Sequence, residues 1–168
     1  MSPTFPTIHR RDEEICIQEL SSIPLKDRLI CLQKVHKIEK KSFPSSEAFD
    51  FETELKKKNT TLILVTKPDA SINVIGYLVF LRIKRTALLH KICLTEQERG
   101  RGVGKILMLS VRTYLEKGGC DNIQLWVDEA RTPAKALYQS CGFGEIDQCA
   151  DYYGPGRTAL KMQLLIHG

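Results

Sequence analysis

Glycines alternate with basic residues directly before an apolar stretch in the segment TEQERGRGVGKILM, residues 95–108. A glycine inside a helix costs about 1 kcal/mol relative to alanine, so Gly100, Gly102 and Gly104 need a use where a helix begins. Glycine lets the backbone approach an anion closely, and the free N–H groups and positive end of a following helix face that anion. The segment therefore predicts a binding site for phosphate groups. Positive side chains stand beside the glycines: Arg99, Arg101 and Lys105.

The spacing of the glycines separates this segment from two common nucleotide-binding patterns. A P-loop requires GxxxxGK followed by Ser or Thr, and the dinucleotide-binding fingerprint requires GxGxxG, whereas the glycines here are spaced GxGxG. The other interpretation of the segment is an exposed arginine–glycine turn that only begins a helix. The glycines alone do not decide between the two.

The spacing of apolar residues predicts alternating strands and helices around this segment. Helices are predicted over 24–41, 47–58, 103–117 and 132–140. Ser45 or Ser46 would cap the second helix, and Gly118-Gly119 would end the third. Strands are predicted over 61–65, 74–83, 87–94, 123–127, 144–149 and 158–166. An antiparallel start followed by strand–helix–strand–helix indicates an α/β fold with a mixed sheet.

Length and charge fit one globular domain. The chain has 168 residues, with no internal repeat, low-complexity tract or linker that would divide it. The densest basic stretches are 56–58 and 82–85, and neither has interleaved aromatic residues. We interpret them as solvated surface and expect no nucleic-acid partner. The modest net charge of +5 also suits a polyanionic small molecule.

The cysteines and the start of the chain predict its compartment. The cysteines show no CxxC pair and no metal-ligand spacing, and most have apolar neighbours, as buried free thiols do. The opening MSPTFPTIHRRDEE lacks an apolar signal region, and no apolar run reaches 18 residues. We therefore expect a soluble, cytoplasmic protein, with the nucleus as a second compartment, no membrane partner and no metal. The six cysteines are Cys16, Cys31, Cys93, Cys120, Cys141 and Cys149.

The spacing Arg99-x-x-Gly102-x-Gly104 resembles the [Q/R]xxGx[G/A] acetyl-coenzyme A signature of the GCN5-related N-acetyltransferase (GNAT) superfamily. The later segment AKALYQSCGF, 134–143, is similar to that family's A-x-x-LY-x-x-x-GF element. The resemblance covers about residues 38–166. It implies one GNAT domain over 1–168, with 1–23 partly a peripheral segment. The implied fold has a mixed, mostly antiparallel sheet of about seven strands flanked by about four helices.

The resemblance implies acetyl-CoA as co-substrate and assigns residues to it. Backbone amides of residues 99–104 would hold the pyrophosphate, and the strand ending at Leu94 would bind the thioester oxygen and the pantetheine arm. Arg131 stands where the family often has an asparagine that touches the coenzyme. The implied coenzyme-binding residues are Ile92, Cys93, Leu94, Arg99, Gly100, Arg101, Gly102, Val103, Gly104, Lys105 and Arg131.

The resemblance also implies catalytic residues, with one departure from the family. Tyr138 corresponds to the tyrosine that gives a proton or a hydrogen bond to the departing thiolate. The positions where relatives commonly place a general base are Leu88 and Trp126, and neither side chain accepts a proton. His90, two residues beyond Leu88 on the same strand, titrates near neutrality and is the candidate base. Candidates that would act through water are Asp128, Glu129 and Asp151.

Two further segments resemble the branch of the family that acetylates the N-termini of proteins, including a ribosomal protein with an N-terminal alanine. EKKSFPSSEAF (39–49) is similar to its E…FP loop, and DYYGPGRTALKM (151–162) is similar to its closing hairpin. An α-amine, with a pKa of about 7.7–8, is partly neutral at pH 7, whereas a lysine amine near 10.4 is almost wholly charged. A missing strong base therefore favours an α-amine. The implied acceptor-binding residues are Phe43, Pro44, Trp126, Tyr152 and Tyr153.

Taken together, the sequence predicts direct transfer of an acetyl group from acetyl-CoA to a primary amine, with the N-terminus of a protein or peptide as the favoured acceptor. Two alternatives keep the enzyme and change the acceptor to a small amine such as a polyamine, or to a protein lysine. A third is a coenzyme-binding module without catalysis. A homodimer and an auxiliary subunit both stay open.

Overall fold

One mixed sheet of eight strands runs through the protein, in the order β1-β2-β3-β4-β5-β6-β8-β7. The structure is a computed structural model that describes residues 5, 7–10, 13–68 and 71–166. Neighbouring strands are antiparallel except β5 and β6, which are parallel. The mixed, mostly antiparallel sheet is as predicted. The strands are β1 Thr7–Arg10, β2 Glu13–Glu19, β3 Thr60–Lys67, β4 Asn73–Ile83, β5 Thr86–Leu94, β6 Asn122–Asp128, β7 Gly144–Cys149 and β8 Ala159–Leu165.

Four α-helices accompany the sheet in the described part of the chain: α1 Leu25–Ser42, α2 Phe51–Glu54, α3 Val103–Lys117 and α4 Thr132–Ser140. The prediction of a helix over 47–58 is wrong. A 3₁₀ turn at Ser45–Glu47 precedes the single turn of α2, which is capped by Asp50 and not by a serine. The N–H group of Phe49 donates to Oε2 of Glu39 at 3.3 Å. That bond and the burial of Phe51 hold the chain extended between the two turns.

Each face of the sheet carries its own hydrophobic core. On one face α3 and α4 pack against strand residues such as Leu89, Leu125 and Met162. On the other face α1 and α2 pack against residues such as Leu64 and Val79. Residues 1–23, expected to be partly peripheral, contribute β2, which pairs with β3 inside the sheet. Its side chains Ile15 and Ile17 are buried in the core on the α3 side.

The two parallel strands separate halfway along their length. Pairing between β5 and β6 runs from Thr86↔Asn122 to Leu89↔Leu125 and then stops, although β5 continues to Leu94. A β-bulge marks this point, because Leu89 and Lys91 pair with consecutive β4 residues and His90 is left as the extra residue. A bulge bends its strand, so β5 turns away from β6. A gap therefore opens between their carboxyl ends.

Three findings bear on the predicted compartment and partners. In the described ranges no helix is long and apolar enough to cross a membrane. The same residues include no group of three or more His, Cys, Asp or Glu side chains placed to hold a metal ion. All six cysteines carry free thiols, and four of them are buried: Cys31, Cys93, Cys120 and Cys141.

Candidate active site

The glycine segment forms a tight turn at the N-terminus of α3. Gly100 and Gly102 have φ angles of +73° and +80°, in the left-handed region that other residues enter only with strain. Gly102 is the N-cap of α3, so the N–H groups of the following helical turn have no acceptor within the helix. The glycines thus expose main-chain donors at the positive end of a helix, as an anion site requires.

Gly104 brings this turn close to the other elements of the site. A Cβ atom at Gly104 would lie 3.3 Å from a side-chain carbon of Leu137 and 3.6 Å from one of Leu94. The first turn of α3 therefore packs directly against α4 and the end of β5. This contact places the glycine turn at the mouth of the gap between β5 and β6.

The basic side chains of the turn differ in their surroundings. Arg99 donates to the carbonyl oxygen of Leu94 at 3.3 Å and to the hydroxyl of Ser42 at 2.9 Å, which ties the turn to β5 and to the end of α1. Arg101 forms ion pairs with Glu98 and Glu13, each at 3.3 Å. Lys105 is exposed. Arg99 and Arg101 therefore have partners within the protein, and binding of phosphates by the main-chain amides, Arg99, Arg101 and Lys105 stays a prediction.

Tyr138 lies on α4, next to Leu137, whose side chain meets the glycine turn, and is only 6% exposed. Burial raises the pKa of its hydroxyl; the neighbouring Tyr153 adds to this increase, and Arg131 opposes it. Tyr138 therefore stays protonated at neutral pH. No described residue hydrogen-bonds its hydroxyl, which is thus available to a reacting group. This is the state that a proton donor to a thiolate needs.

An aromatic wall, which we define as Trp126, Tyr152 and Tyr153, lies at the carboxyl end of β6. We call this the acceptor side of the gap, because these residues are predicted to bind the acceptor. Tyr152 stacks on Trp126 with ring centroids 5.3 Å apart, and Tyr153 meets Tyr152 edge-on at 4.9 Å. Tyr152 is 51% exposed and Trp126 is half-buried. Three residues predicted to bind the acceptor therefore form one continuous surface.

The loop after α1 completes the acceptor side. The ring of Phe43 lies between two cations, with Nζ of Lys91 4.0 Å and the guanidinium carbon of Arg131 4.4 Å from its centroid. Pro44 is exposed beside it. The contacts of Arg131 are with Phe43 and, at 3.8 Å, with Glu47. Arg131 thus joins the acceptor side, and its predicted contact with the coenzyme stays a prediction.

A charged cluster, which sequence reasoning missed as a unit, links this loop to the hairpin between β7 and β8. Nη2 of Arg157 lies 2.9 Å from Oε1 of Glu47 and 2.7 Å from Oδ2 of Asp128. Lys91 donates to Oε1 of Glu39 at 2.9 Å and to the carbonyl oxygen of Glu47. The sequence indicates Asp128 and Arg131 one by one, and the charge of Lys91 inside the apolar run ALLHKICL is a further signal. The cluster is Glu39, Glu47, Lys91, Asp128, Arg131 and Arg157.

Both carboxylate oxygens of Asp128 accept hydrogen bonds. Burial by itself would raise the pKa of Asp128, but the N–H group of Ala130 and the guanidinium of Arg157 outweigh it, and the pKa is lowered. Oδ1 accepts from Ala130 at 2.9 Å, and Oδ2 accepts from Arg157. A carboxylate held in this way is a weak base. Its contacts make Asp128 a positioning group for Arg157.

The other predicted base candidates lie in different surroundings. His90 is exposed on one side and has the Phe49 ring on the other, with centroids 5.6 Å apart. Desolvation lowers the pKa of His90, Glu54 opposes this, and Lys57 adds to it. These neighbours belong to α2 and its flanking residues. Asp151 accepts from the N–H group of Gly156 at 2.7 Å. Glu129 and Asp151 are exposed, and Leu88 is half-buried.

Comparison with known proteins matches this chain to a family of acetyltransferases. The model of the "Acetyltransferase (GNAT) family" matches residues 32–143, which include the second half of α1, the glycine turn and α4. The chain is 27% identical over 148 residues to an N-alpha-acetyltransferase of Sulfurisphaera tokodaii, a match that covers 80% of this chain and 87% of that protein. It is 43% identical over 60 residues to a mycothiol acetyltransferase of Renibacterium salmoninarum, covering 36% of this chain. The chain spans only 18% of the length of that relative.

Solved structures share the fold. The ribosomal-protein-S18-alanine N-acetyltransferase of Escherichia coli superposes with a TM-score of 0.72 at 21% identity, over 92% of this chain and 95% of that one. The fold of this chain is thus a known architecture. The family model covers well over half of the chain, and the protein belongs to the GNAT acetyltransferase family.

Proposed function

We propose that the protein is an acetyl-CoA-dependent N-acetyltransferase that acts on the α-amine of a protein or peptide N-terminus. The observation that carries the proposal is the gap between β5 and β6, which has an anion-binding turn at its mouth and Tyr138 beside it. A thioester threaded through the gap would have its phosphates on the turn and its sulfur near a protonated hydroxyl. The residues present fit acetyl-CoA.

This chain's residues divide the work of acetyl transfer. Beyond Leu89 the backbone of β5 has no pairing with β6, so its main-chain groups on that edge, apart from the Leu94 carbonyl that accepts from Arg99, would hold the pantetheine arm and the thioester oxygen. The protonated hydroxyl of Tyr138 supplies a hydrogen bond or a proton to the departing thiolate. The aromatic wall and the Phe43 loop would confine the amine on the opposite side.

The acceptor side favours a peptide over a polyamine. Three acidic and three basic side chains balance in the charged cluster, so the site offers no excess of negative charge to attract a polycation. The exposed aromatic wall instead suits the backbone and side chains of an extended peptide. The N-alpha-acetyltransferase relative, which this chain matches over most of its length, supports the same acceptor class.

A panel of acceptors tests this proposal. The purified chain is incubated with acetyl-CoA and one of three acceptors, and free thiol is measured: a peptide with a free N-terminus and no lysine, the same peptide blocked at its N-terminus with one lysine added, or spermidine. We expect the first acceptor to be at least about 10-fold faster at pH 7, because its α-amine is partly neutral there. Mass spectrometry should place one acetyl group on its N-terminus.

The remaining acceptor classes would give distinct results. Turnover fastest with spermidine or with the lysine peptide would replace the proposed acceptor while keeping the acetyltransferase. Absence of thiol release with every amine, together with normal binding of acetyl-CoA, would indicate a coenzyme-binding module. We include the non-catalytic module because Leu88 and Trp126, at the two positions where relatives commonly place a base, cannot accept a proton.

A further inference from the structure

Three carboxylates lie in the charged cluster, and they differ in how many of their oxygens are already used. Oε1 of Glu39 accepts from Lys91 and Tyr77, and its Oε2 accepts from the N–H group of Phe49. Both oxygens of Asp128 accept hydrogen bonds, from Ala130 and Arg157. Neither carboxylate has an oxygen to spare for a substrate.

Glu47 is different. Its Oε1 accepts from Arg157 at 2.9 Å, but its Oε2 is closed to solvent and has no hydrogen-bond donor among the described residues. The nearest cation, Nη2 of Arg131, is 3.8 Å away, too far for a hydrogen bond. A buried charged oxygen without a donor costs free energy, so a donor from a ligand would be bound favourably there.

The surroundings of Glu47 place this oxygen on the acceptor side. Its main-chain carbonyl accepts from Lys91, Arg157 holds its Oε1, and Phe43 lies four residues before it in the same loop. The guanidinium of Arg157, which holds Oε1 of Glu47, lies 5.3 Å from the centroid of the Tyr153 ring, which belongs to the aromatic wall. The free oxygen therefore lies beside the residues predicted to bind the acceptor.

We propose that Glu47 is the catalytic residue that receives the acceptor amine, in place of the base that Leu88 and Trp126 cannot provide. This inference rests on the proposed function. Oε2 of Glu47 takes one proton from the incoming ammonium, and the side chain, which is 16% exposed, returns this proton to solvent when the product leaves. The nitrogen lone pair then forms the N–C bond with the thioester carbonyl as the C–S bond breaks, and Tyr138 gives its hydroxyl proton to the thiolate. The second nitrogen proton leaves as the amide forms and restores the hydroxyl of Tyr138.

The pH dependence of a Glu47→Gln variant tests the role. At pH 7 about one α-amine in ten is neutral, so loss of the group that holds and deprotonates the ammonium should lower kcat/KM for a peptide acceptor by about 10-fold or more. The deficit should shrink as the pH rises past the pKa of the amine, towards pH 9. The KM for acetyl-CoA should stay unchanged. Glu47→Asp, which keeps the charge, should recover part of the loss.

Two further variants separate catalysis from structure. Glu52→Gln changes an exposed glutamate on α2, outside the cluster, and should behave like the unmodified protein. Arg157→Gln removes the cation that holds Oε1 of Glu47 but keeps the carboxylate, so its loss at pH 7 should be smaller than that of Glu47→Gln. A loss in Glu47→Gln that is equally large at pH 7 and pH 9 would overturn the catalytic role.

The outcome is independent of the proposed acceptor, because the measurement uses whichever amine is turned over fastest. Activity on small amines alone would refute the peptide acceptor and still allow the Glu47 test. Normal activity of Glu47→Gln beside a collapse of His90→Gln would overturn Glu47 and assign the proton to His90, with the acceptor class untouched.

Discussion

The ammonium of Lys91 lies 2.9 Å from Oε1 of Glu39, where both side chains are nearly closed to water, at 12% and 6% exposed. The pair joins β5 to α1 across the sheet face that carries the acceptor side. Because Lys91 also donates to the carbonyl oxygen of Glu47, this contact fixes the loop after α1 relative to the gap. The position of the acceptor loop therefore depends on a buried ion pair.

Loss of the Lys91–Glu39 ion pair should lower the free energy of unfolding. Lys91→Met leaves the carboxylate of Glu39 buried without its cation, and we expect the free energy of unfolding to fall by about 3 kcal/mol. The double variant Lys91→Met with Glu39→Gln should lose less than the single one, since no uncompensated charge remains. Urea unfolding measures both. The control Lys57→Met breaks an exposed pair with Glu54 and should cost less than about 1 kcal/mol.

Gly102→Ala should weaken the binding of acetyl-CoA. An alanine at a φ of +80° is strained by about 1 kcal/mol, and relief of that strain would turn the amides of the α3 N-terminus away from the anion. We expect at least about a 10-fold increase in the dissociation constant by calorimetry. Gly119→Ala, at a φ of +88° beyond the other end of α3, should lose similar stability and keep full affinity. Equal affinity in both variants would contradict a phosphate role for the turn.

Tyr138→Phe should lower kcat by about 10²-fold and leave the KM for acetyl-CoA nearly unchanged, because the hydroxyl acts as the thiolate leaves. Burial raises the pKa of Tyr138, so this hydroxyl should introduce no decline in activity between pH 7 and pH 9. Steady-state kinetics over that range measures both effects. Tyr114→Phe is the matched control: it removes a 2.6 Å bond between α3 and Glu19 at the end of β2 and should affect stability alone.

Stability should decrease on mild acidification, partly through His90. Because desolvation lowers the pKa of His90 in the folded state, the unfolded chain binds the proton more readily. The stability that neutral His90 contributes is complete above the pKa of the unfolded chain, about 6.5, and is lost as the pH falls below that value. Unfolding at pH 7.5 and 5.5 should therefore show a larger acid-induced loss in the unmodified protein than in His90→Gln. An identical loss in both would refute the lowered pKa.

Local patterns in the chain predicted most of the elements that form the candidate site. The period of apolar residues located α1, α3, α4 and strands β3 to β8, and glycine spacing located the turn before α3. The LY segment located Tyr138 on α4. The helix expected over 47–58 did not form, because a hydrogen bond from Phe49 to Glu39, ten residues earlier, outweighed the local helical preference. A contact of that kind has no signature in the local sequence.

The sequence by itself determined the elements and the turn, since these depend on neighbours three or four residues away and on the freedom of glycine at positive φ. Only the tertiary structure decided which charges meet. Lys91 and Glu39 are 52 residues apart, and Arg157 and Glu47 are 110 apart. Their pairing depends on the order of strands in the sheet and on the bulge that parts β5 from β6. Whether a carboxylate keeps a free oxygen, as Glu47 does, follows from how many donors that packing brings to it.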